Sequence, residues 1–470
     1  MLQPNPLASA RLTTDPLDLD PAVWPSGTVR AADGAIRIGG ADARALAAEF
    51  GTPLHVVDET ALKVRAEKAR AAVEGAAAAA GVHAHVYYAG KAFLTAHVVR
   101  WMLDAGLRID VCTGGELALA LAAGATGPSL GFHGNNKSEA EIAAAVDAAV
   151  GALVLDSAQE VALVASAAAR AGRVQRVRLR VNSGVHASTH EYLATAREDQ
   201  KFGVALQDVP AIVAAVRAEP SLEFLGLHSH IGSQIVGTAG FAEAAHRLLA
   251  LHRDLLAGGT VPELNLGGGW GIAYTSGQTP ADVEAVAADL VGAVVAAATE
   301  YGIPVPDLAV EPGRWIVGPA GVTLYTVGTV KDVEVQAPDG GSAVRRYVSV
   351  DGGMSDNIRA ALYGADYTVR LASRASEAPQ ELVRVVGKHC ESGDIVVRED
   401  LLPADVGFGD LVAVPATGAY HHSLASNYNL LTRPAVVAVG AEGAHVLVRR
   451  ETIDDLLARD AGLTRVGSAA

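Results

Sequence analysis

Short apolar runs alternate with alanine-rich helical segments from about residue 50 to residue 310. Each apolar run has the length of a strand, and alanine, the residue that most favours helices, dominates the segments between them. Such alternation predicts parallel strands joined by helical crossovers, closed into a (β/α)8 barrel of the TIM type. Nine runs are predicted as strands where eight are needed, so one is expected at a junction: 54–58, 85–89, 108–112, 129–132, 152–156, 176–181, 224–228, 263–266 and 308–310.

The pattern changes after residue 315, where short β-type runs are separated by turn residues. This pattern predicts a second, mainly antiparallel β domain of the sandwich or barrel kind, in which the turn Asp339-Gly340-Gly341 would join a hairpin. The fold class is therefore expected to be α/β with an added β domain. We expect three parts: residues 1–50, an N-terminal extension that packs with the β domain; residues 51–315, the barrel; and residues 316–470, the β domain.

Composition narrows the class of protein. The 37 basic and 52 acidic residues give a formal charge of −15, and this balance disfavours binding to nucleic acid. The first 25 residues have no signal-peptide pattern, and glycine, proline or polar side chains interrupt the longer uncharged runs, so we expect a cytoplasmic protein without membrane spans. Two cysteines far apart, Cys112 and Cys390, indicate a reducing compartment rather than a disulfide framework.

Reactive side chains follow several of the predicted strands. Lys91 lies two residues after the end of run 85–89. Burial there would favour the neutral amine, which can form a Schiff base, although a lysine that reaches from a strand end to water is the plainer alternative. Asn135, Asn136, His230 and Glu311 also follow strands. In a barrel these ends meet at one face, so we expect the side chains to share a site.

Glycines and histidines add candidate binding groups. Bare backbone N–H groups of Gly267, Gly268 and Gly269 could hold an anion, and a tight turn is the alternative. His228 and His230 alternate along a strand, which predicts one shared face, with Ser233 just beyond; buried core histidines are the alternative. The helical spacing of His186 and His190 suits a metal, but no acid or cysteine set accompanies them, so we expect no metal site.

Three further motifs carry charge or a thiol. Glu311-Pro312-Gly313-Arg314 places an acid and a guanidinium around a fixed turn, unless they only form a surface salt bridge. Arg359 and Tyr363 would share one face of a helix and suit a carboxylate, unless the segment is an exposed amphipathic turn. Cys390, beside Glu391, could be a proton donor or a packed thiol.

Taken together, these motifs resemble the diaminopimelate decarboxylases, group IV pyridoxal-phosphate enzymes with the alanine-racemase-like fold. The resemblance runs from about residue 50 to residue 435, and Phe93 stands where many relatives have asparagine. It is carried by Tyr88-Ala89-Gly90-Lys91-Ala92, Gly115-Glu116-Leu117, His133-Gly134-Asn135-Asn136-Lys137, Gln200-Lys201-Phe202-Gly203, His230-Ile231-Gly232-Ser233-Gln234, Gly267-Gly268-Gly269, Glu311-Pro312-Gly313-Arg314, Cys390-Glu391-Ser392-Gly393-Asp394 and Gly418-Ala419-Tyr420.

The resemblance implies that pyridoxal 5'-phosphate is bound and that meso-2,6-diaminopimelate is decarboxylated to L-lysine and CO2, the last step of lysine biosynthesis. It implies that Lys91 holds the cofactor covalently, that Glu311 pairs with the ring nitrogen and keeps it protonated, and that His230 stacks on the ring. The remaining cofactor-binding residues, some of them around the phosphate, would be Ser233, Gly268, Gly269, Pro312, Gly313, Arg314 and Tyr420.

Substrate binding and assembly are implied in the same way. The substrate would be held by Arg314, Arg359, Tyr363 and Tyr420, with Glu391 on the distal ammonium. Cys390 would return a proton to the α-carbon. Because the loop with Cys390 and Glu391 comes from the partner subunit in this family, the resemblance also implies a homodimer with shared active sites.

Three alternatives are weighed from the sequence. Ornithine and arginine decarboxylases share the barrel, the lysine and the Glu-Pro-Gly-Arg turn, but a plain amine terminus does not need Arg359 and Tyr363 beside Glu391. Alanine racemase fits less well, because its cofactor nitrogen faces an arginine. A non-catalytic homologue is the alternative from another class; it would be expected to have lost Lys91, Glu311 or Cys390, and all three are present.

Overall fold

The fold is described from a computed structural model. It describes residues 7–8, 15, 17–185, 201–338 and 340–463, so His186, His190, Gln200 and Asp339 lie outside the described residues. The chain forms two compact units. The barrel unit comprises Lys63–Ile272 and Thr279–Ile316, and the β unit comprises Met1–Leu62, Ala273–Gln278 and Val317–Ala470.

Strands and helices alternate as the sequence predicts. The strands are β1 (Val29–Arg30), β2 (Ile36–Ile38), β3 (Ala41–Asp42), β4 (Leu54–Asp58), β5 (Ala84–Ala89), β6 (Arg108–Val111), β7 (Leu130–Phe132), β8 (Ala152–Leu155), β9 (Gln175–Asn182), β10 (Val204–Ala205), β11 (Leu222–His228), β12 (Glu263–Asn265), β13 (Asp307–Val310), β14 (Gly321–Gln336), β15 (Ser342–Val350), β16 (Arg370–Leu371), β17 (Gln380–Val386), β18 (Ile395–Pro403), β19 (Leu411–Pro415), β20 (Ala435–Gly440) and β21 (Gly443–Val448). The helices are α1 (Ala43–Phe50), α2 (Glu59–Ala79), α3 (Ala96–Asp104), α4 (Gly114–Ala122), α5 (Glu139–Asp147), α6 (Gln159–Arg170), α7 (Val209–Ala218), α8 (Ala239–Leu256), α9 (Val283–Tyr301), α10 (Arg314–Val317), α11 (Arg359–Tyr363) and α12 (Ile453–Leu457).

Eight parallel strands close the barrel, in the order β9-β11-β12-β13-β5-β6-β7-β8, with β8 paired to β9. The predicted (β/α)8 barrel is thereby confirmed. Helices cover the outside of such a barrel, so a strand can be buried on both faces and have a continuous apolar sequence. All four residues of β8, for example, are buried.

Side chains fix where several barrel helices begin. The hydroxyls of Thr95, Thr113 and Ser138 accept hydrogen bonds from backbone N–H groups at the starts of α3, α4 and α5. Ser138 forms a reciprocal capping box with Glu141. These caps satisfy N–H groups that have no partner within the helix, and they end each strand-to-helix loop at a defined residue.

The run 54–58 is the one of the nine predicted strands that lies outside the barrel; the sequence prediction expected one such run but did not say which. This run is β4, which pairs with β14 on one side and β20 on the other, in the sheet of the β unit. All five of its residues are buried. The sequence pattern of a central strand is the same in a barrel and in any other sheet that is covered on both faces. The barrel unit accordingly begins at Lys63 rather than at residue 51.

The β unit contains a mixed sheet in the order β18-β17-β15-β14-β4-β20-β21, with β19 paired to β14 and β16. Most pairs are antiparallel, but β15–β17 and β4–β20 are parallel. The antiparallel meander of β1, β2 and β3 is hydrogen-bonded to this unit: Ile36 N–H donates to the Ala372 carbonyl at 3.0 Å, and Ala375 N–H donates to the Asp33 carbonyl at 2.8 Å. Within the described part of the chain, no helix is both long and apolar enough to cross a membrane.

Candidate active site

Four neighbouring strands of the barrel carry the predicted site residues at their carboxyl ends. In spatial order these strands are β11, β12, β13 and β5. They are followed by the loop with His230 and Ser233, the three glycines, the Glu311–Arg314 turn and Lys91, respectively. Because parallel strands end at the same rim, residues that are far apart in the sequence lie on one arc of the barrel.

Lys91 lies in a short helical turn, Gly90–Ala92, directly after β5. Its side chain is exposed, so the burial that the sequence argument assumed for this lysine is not found. The neighbouring turn packs closely against this segment at Gly313. A Cβ atom at Gly313 would lie 2.9 Å from the Ala89 carbonyl oxygen and 3.1 Å from the Ala92 Cβ. Glycine is therefore required there for the Glu311–Arg314 turn to pack against the residues that flank Lys91.

Glu311 is buried, and three groups face its Oε1 atom. Asn265 Nδ2 donates to Oε1 at 2.7 Å, His228 Nε2 lies 3.1 Å away and His133 Nε2 lies 3.4 Å away. Burial alone would raise the pKa of Glu311, but the interactions with His228 and His133 outweigh burial and hold the pKa well below its usual value. Glu311 is thus a buried carboxylate that stays ionised at neutral pH.

Burial also shifts the pKa values of the two histidines beside Glu311. Burial lowers the pKa of His133 and of His228 to about 4, and their rings meet edge-on with centroids 5.0 Å apart. The ligand atoms of His133, His228 and Glu311 lie within 4.8 Å of one another, a spacing that a metal could also use. Because Oε1 already accepts the Asn265 N–H, we interpret the group as a buried polar cluster around a carboxylate.

His230 lies beyond the end of β11, in the loop that follows, so the alternation that predicts a shared face with His228 does not extend to it. Its Nδ1 accepts the Gly268 N–H at 3.4 Å. Burial, followed by the nearby Lys91 charge, lowers the pKa of His230 well below its usual value. His230 is therefore a neutral ring between the glycine turn and the lysine charge.

The glycine run can be formed only by glycine. Gly267 and Gly269 have φ angles of +67° and +98°. A Cβ atom would lie 2.1 Å from the Glu311 carbonyl oxygen at Gly268 and 2.2 Å from the Gly232 carbonyl oxygen at Gly269. Side chains are thus excluded on steric grounds, and the turn consists of bare backbone, as an anion cradle requires.

Arg314 Nη2 donates to Ser233 Oγ at 2.9 Å, which joins the loop after β11 to the turn after β13. The alternative of a surface salt bridge between Glu311 and Arg314 does not describe this turn, because Glu311 is buried among the histidines. Ser233 itself is exposed. A hydroxyl and a guanidinium therefore stand together at the rim beside the glycine run.

Arg359 and Tyr363 lie in the β unit, on the short helix α11, as their spacing predicts. The Arg359 guanidinium carbon is 5.9 Å from the centre of the Tyr363 ring. Arg359 is only 6% exposed, whereas Tyr363 is 64% exposed. The Arg359 Nη1 donates to the Tyr367 hydroxyl at 2.6 Å, and its guanidinium lies 4.7 Å from the Tyr274 ring centre. These tyrosines fix the direction of the guanidinium.

Cys390 and Glu391 are exposed on the loop between β17 and β18. Asp394 anchors this loop, because its carboxylate accepts the N–H groups of His389 at 2.8 Å and Met354 at 2.6 Å. Tyr420, also in the β unit, is partly buried and has a φ angle of +63°. The loop therefore presents a free thiol and a carboxylate on an anchored backbone.

Two residues of the barrel cluster have no role in the sequence prediction. Asn265 ends β12, and Asp110 lies in β6 with Oδ1 3.2 Å from His133 Nε2. Burial, together with the Glu311 charge, raises the pKa of Asp110 well above its usual value. The available signal was weak: a polar residue at or near the end of a buried strand, two positions before the first glycine in the case of Asn265.

Comparison with known proteins identifies the class. Residues 65–318 match the family model described as "Pyridoxal-dependent decarboxylase, pyridoxal binding domain". The fold and the site therefore define a pyridoxal-dependent decarboxylase. Diaminopimelate decarboxylase of Mycobacterium tuberculosis (strain ATCC 25618 / H37Rv) is 51% identical over 450 residues, which cover 94% of this chain and 98% of that protein. The chain belongs to the diaminopimelate decarboxylase family.

More distant relatives agree. Diaminopimelate decarboxylase of Bacillus subtilis (strain 168) is 43% identical over 433 residues, which cover 91% of this chain and 95% of that protein. The crystal structure of diaminopimelate decarboxylase from M. jannaschii in co-complex with L-lysine superposes with a TM-score of 0.84 at 30% identity, over 93% of this chain and 98% of that chain. The family resemblance drawn from the sequence motifs is confirmed, and the chain is a carboxy-lyase.

Proposed function

We propose that this enzyme converts meso-2,6-diaminopimelate to L-lysine and CO2, the last step of lysine biosynthesis, with pyridoxal 5'-phosphate bound through Lys91. The observation that carries the proposal is the buried, ionised Glu311, which directly follows β13, the strand paired with the one that precedes Lys91. Family membership and the lysine complex of the M. jannaschii relative support the choice of substrate and product.

The residues of the barrel rim fit this cofactor. The bare glycine turn, which no Cβ could enter, is suited to receive the phosphate at Gly268 and Gly269, with the Ser233 hydroxyl and, from the β unit, Tyr420 as further ligands. Pro312 and Gly313 would shape the turn beside the cofactor, and His230 would lie against the ring. When bound, pyridoxal phosphate supplies an electron sink for the electron pair that CO2 leaves behind.

The role of Glu311 follows from its charge. A carboxylate that stays ionised in a buried site attracts a proton to a neighbouring ring nitrogen, and Coulomb attraction is strong where water is excluded. Lys91 supplies the amine for the covalent attachment of the cofactor, since it is exposed at the rim. Cys390, exposed and free, would return a proton to the α-carbon.

The far end of the substrate would be recognised by side chains of opposite charge. Arg314, Arg359 and Tyr363 would hold carboxylate groups, and Glu391 would hold the distal ammonium. The Arg359 guanidinium is fixed by Tyr367 before any ligand arrives, which reduces the entropy lost on binding. An analogue without the carboxylate that Arg359 would hold leaves this buried guanidinium without its charged partner.

The proposed assembly is a homodimer in which the loop with Cys390 and Glu391 completes the partner's site. Both residues are exposed on one chain, and Asp394 fixes the backbone between β17 and β18, so the loop is a preformed element that a second copy could receive. We also propose that the enzyme works in the cytoplasm, where its two free cysteines would remain reduced.

The substrate decides between this function and the ornithine or arginine decarboxylases. The experiment compares kcat/KM for meso-diaminopimelate, ornithine, arginine and lysine with the purified holoenzyme. We expect the last three to be used at least about a hundredfold less efficiently, from about 3 kcal/mol of missing charged contacts. A preference for ornithine or arginine would overturn the proposed function.

A further inference from the structure

The amide of Asn265 connects the glycine turn to Glu311. Asn265 ends β12 and is 0% exposed. Its Nδ2 donates to Glu311 Oε1 at 2.7 Å, and its Oδ1 accepts the Gly267 N–H at 2.8 Å. Rotating the amide by half a turn would set its oxygen against the carboxylate and its NH2 against an N–H group. Both interactions therefore fix the same orientation of the amide.

A third hydrogen bond closes the connection. The Glu311 N–H donates to the Gly267 carbonyl at 2.9 Å. Asn265 is also the register partner of Ala309 on β13, two residues before Glu311. The turn after β12 and the turn after β13 are thus joined through Asn265, Gly267 and Glu311, at a separation that backbone and side chain define together.

The same amide sets the direction of the Glu311 carboxylate. Asn265, His228 and His133 all face Oε1, and none of the described residues forms a hydrogen bond to Oε2. A carboxylate held through one oxygen has its other oxygen directed to a defined place. Oε2 is therefore the atom that can receive a ligand from the rim.

We propose that Asn265 is a positioning residue, which orients Glu311 so that Oε2 is available to the ring nitrogen of the cofactor and couples that carboxylate to the glycine turn that receives the phosphate. This inference rests on the proposed function, because it presumes pyridoxal phosphate at the rim. One residue thereby keeps the two cofactor contacts, phosphate and ring nitrogen, at a constant distance.

An amide is suited to this position where an acid is not. Aspartate at position 265 could still accept the Gly267 N–H, but it would place a second carboxylate against Glu311. Two carboxylates at hydrogen-bond distance share a proton, and the pKa of the pair is raised. Asp110 shows the same effect in this cluster, because burial and the Glu311 charge raise its pKa.

The test uses the holoenzyme loaded with pyridoxal phosphate that carries 15N in the ring. The 15N chemical shift reports ring protonation without turnover. In Asn265→Asp we expect the midpoint pH of ring protonation to fall by about one unit or more, with kcat about tenfold or more lower. Asn265→Ala frees both Glu311 and the Gly267 N–H. In this variant we also expect the cofactor to bind the apoenzyme about tenfold more weakly, with a Kd about tenfold higher.

A matched control exists in the β unit, where Asn427 Nδ2 donates to Glu451 Oε2 at 2.6 Å. Asn427→Asp makes the same change beside a glutamate and should leave the 15N titration unchanged. If both Asn265 variants fold and have the 15N titration and the cofactor Kd of the wild type, the inference is overturned. If Asn265→Asp does not fold, the result for Asn265→Ala decides. A wild-type protein that binds no cofactor, or does not decarboxylate diaminopimelate, would instead overturn the proposed function.

Discussion

Replacing Glu311 by glutamine tests the charge at the centre of the site. The cluster dictates how the new amide lies: its oxygen must face the Asn265 Nδ2 donor, 2.7 Å from the present Oε1, so its NH2 group takes the place of Oε2. An NH2 group donates hydrogen bonds and carries no charge. The ring nitrogen of the cofactor would then meet a donor and would have no charge to hold its proton.

The expected loss follows from Coulomb's law. Two unit charges about 4 Å apart interact by about 4 kcal/mol at an effective dielectric constant of about 20. If that attraction is realised as the electron pair moves into the ring, kcat falls by about three orders of magnitude, since about 1.4 kcal/mol corresponds to a factor of ten. Cofactor binding should change little, because Lys91 and the glycine turn are untouched.

The assay is single-turnover CO2 release from Glu311→Gln, alongside cofactor content measured by absorbance. Glu300→Gln is the matched control, since Glu300 is an exposed glutamate on α9 of the same unit and should behave as the wild type. A Glu311→Gln enzyme with full cofactor content and a kcat within about threefold of the wild type would refute the reasoning, because the missing charge would then contribute well under 1 kcal/mol.

The remaining predictions concern attachment, assembly and acid stability. Borohydride should fix the cofactor on the peptide with Lys91; label on Lys201 would contradict the assignment. Mixing inactive Lys91→Ala and Cys390→Ala subunits should restore about a quarter of wild-type activity, since half of the dimers are hybrids with one intact site, and no recovery despite proven exchange would favour a site within one chain. Burial lowers the pKa of His55 to about 3, so its contribution to stability is present above pH about 6.5 and is lost as pH falls toward 3. Urea titrations at pH 7 and pH 4 should show a loss about 3 kcal/mol smaller in His55→Gln; equal losses would contradict the pKa.

The barrel could be predicted from the sequence, because strands that are buried on both faces give recognisable apolar runs. A short apolar run such as Ala152–Leu155 has the length of a covered strand, and helical segments on either side of it indicate a parallel sheet. The same signal misled at Leu54–Asp58, because burial says nothing about which sheet covers a strand. Its partners, Gly321–Gln336 and Ala435–Gly440, are far away in the chain, and only pairing in three dimensions identifies them.

The candidate site divides in the same way. Lys91 and Glu311 could be selected from the sequence, because an ionisable side chain after an apolar run needs a chemical reason. The part played by Asn265 depends on the register between β12 and β13, which a single sequence does not contain. The contacts of Arg359 with Tyr274 and Tyr367 could not be predicted from the sequence either, since the two tyrosines come from different segments of the β unit.

The position of β4 has a consequence for how the chain is made. β4 leaves the ribosome before the barrel, but its sheet neighbours β14 and β20 leave after it. Closing so long a loop costs chain entropy, so this pairing is slow compared with the local contacts of the barrel. We expect the barrel to fold first during synthesis. The apolar strand β4 stays unpaired until β14 and β20 have been made. A ribosome that stops before Ala435 would release a chain with one edge of β4 uncovered, and such edges promote aggregation.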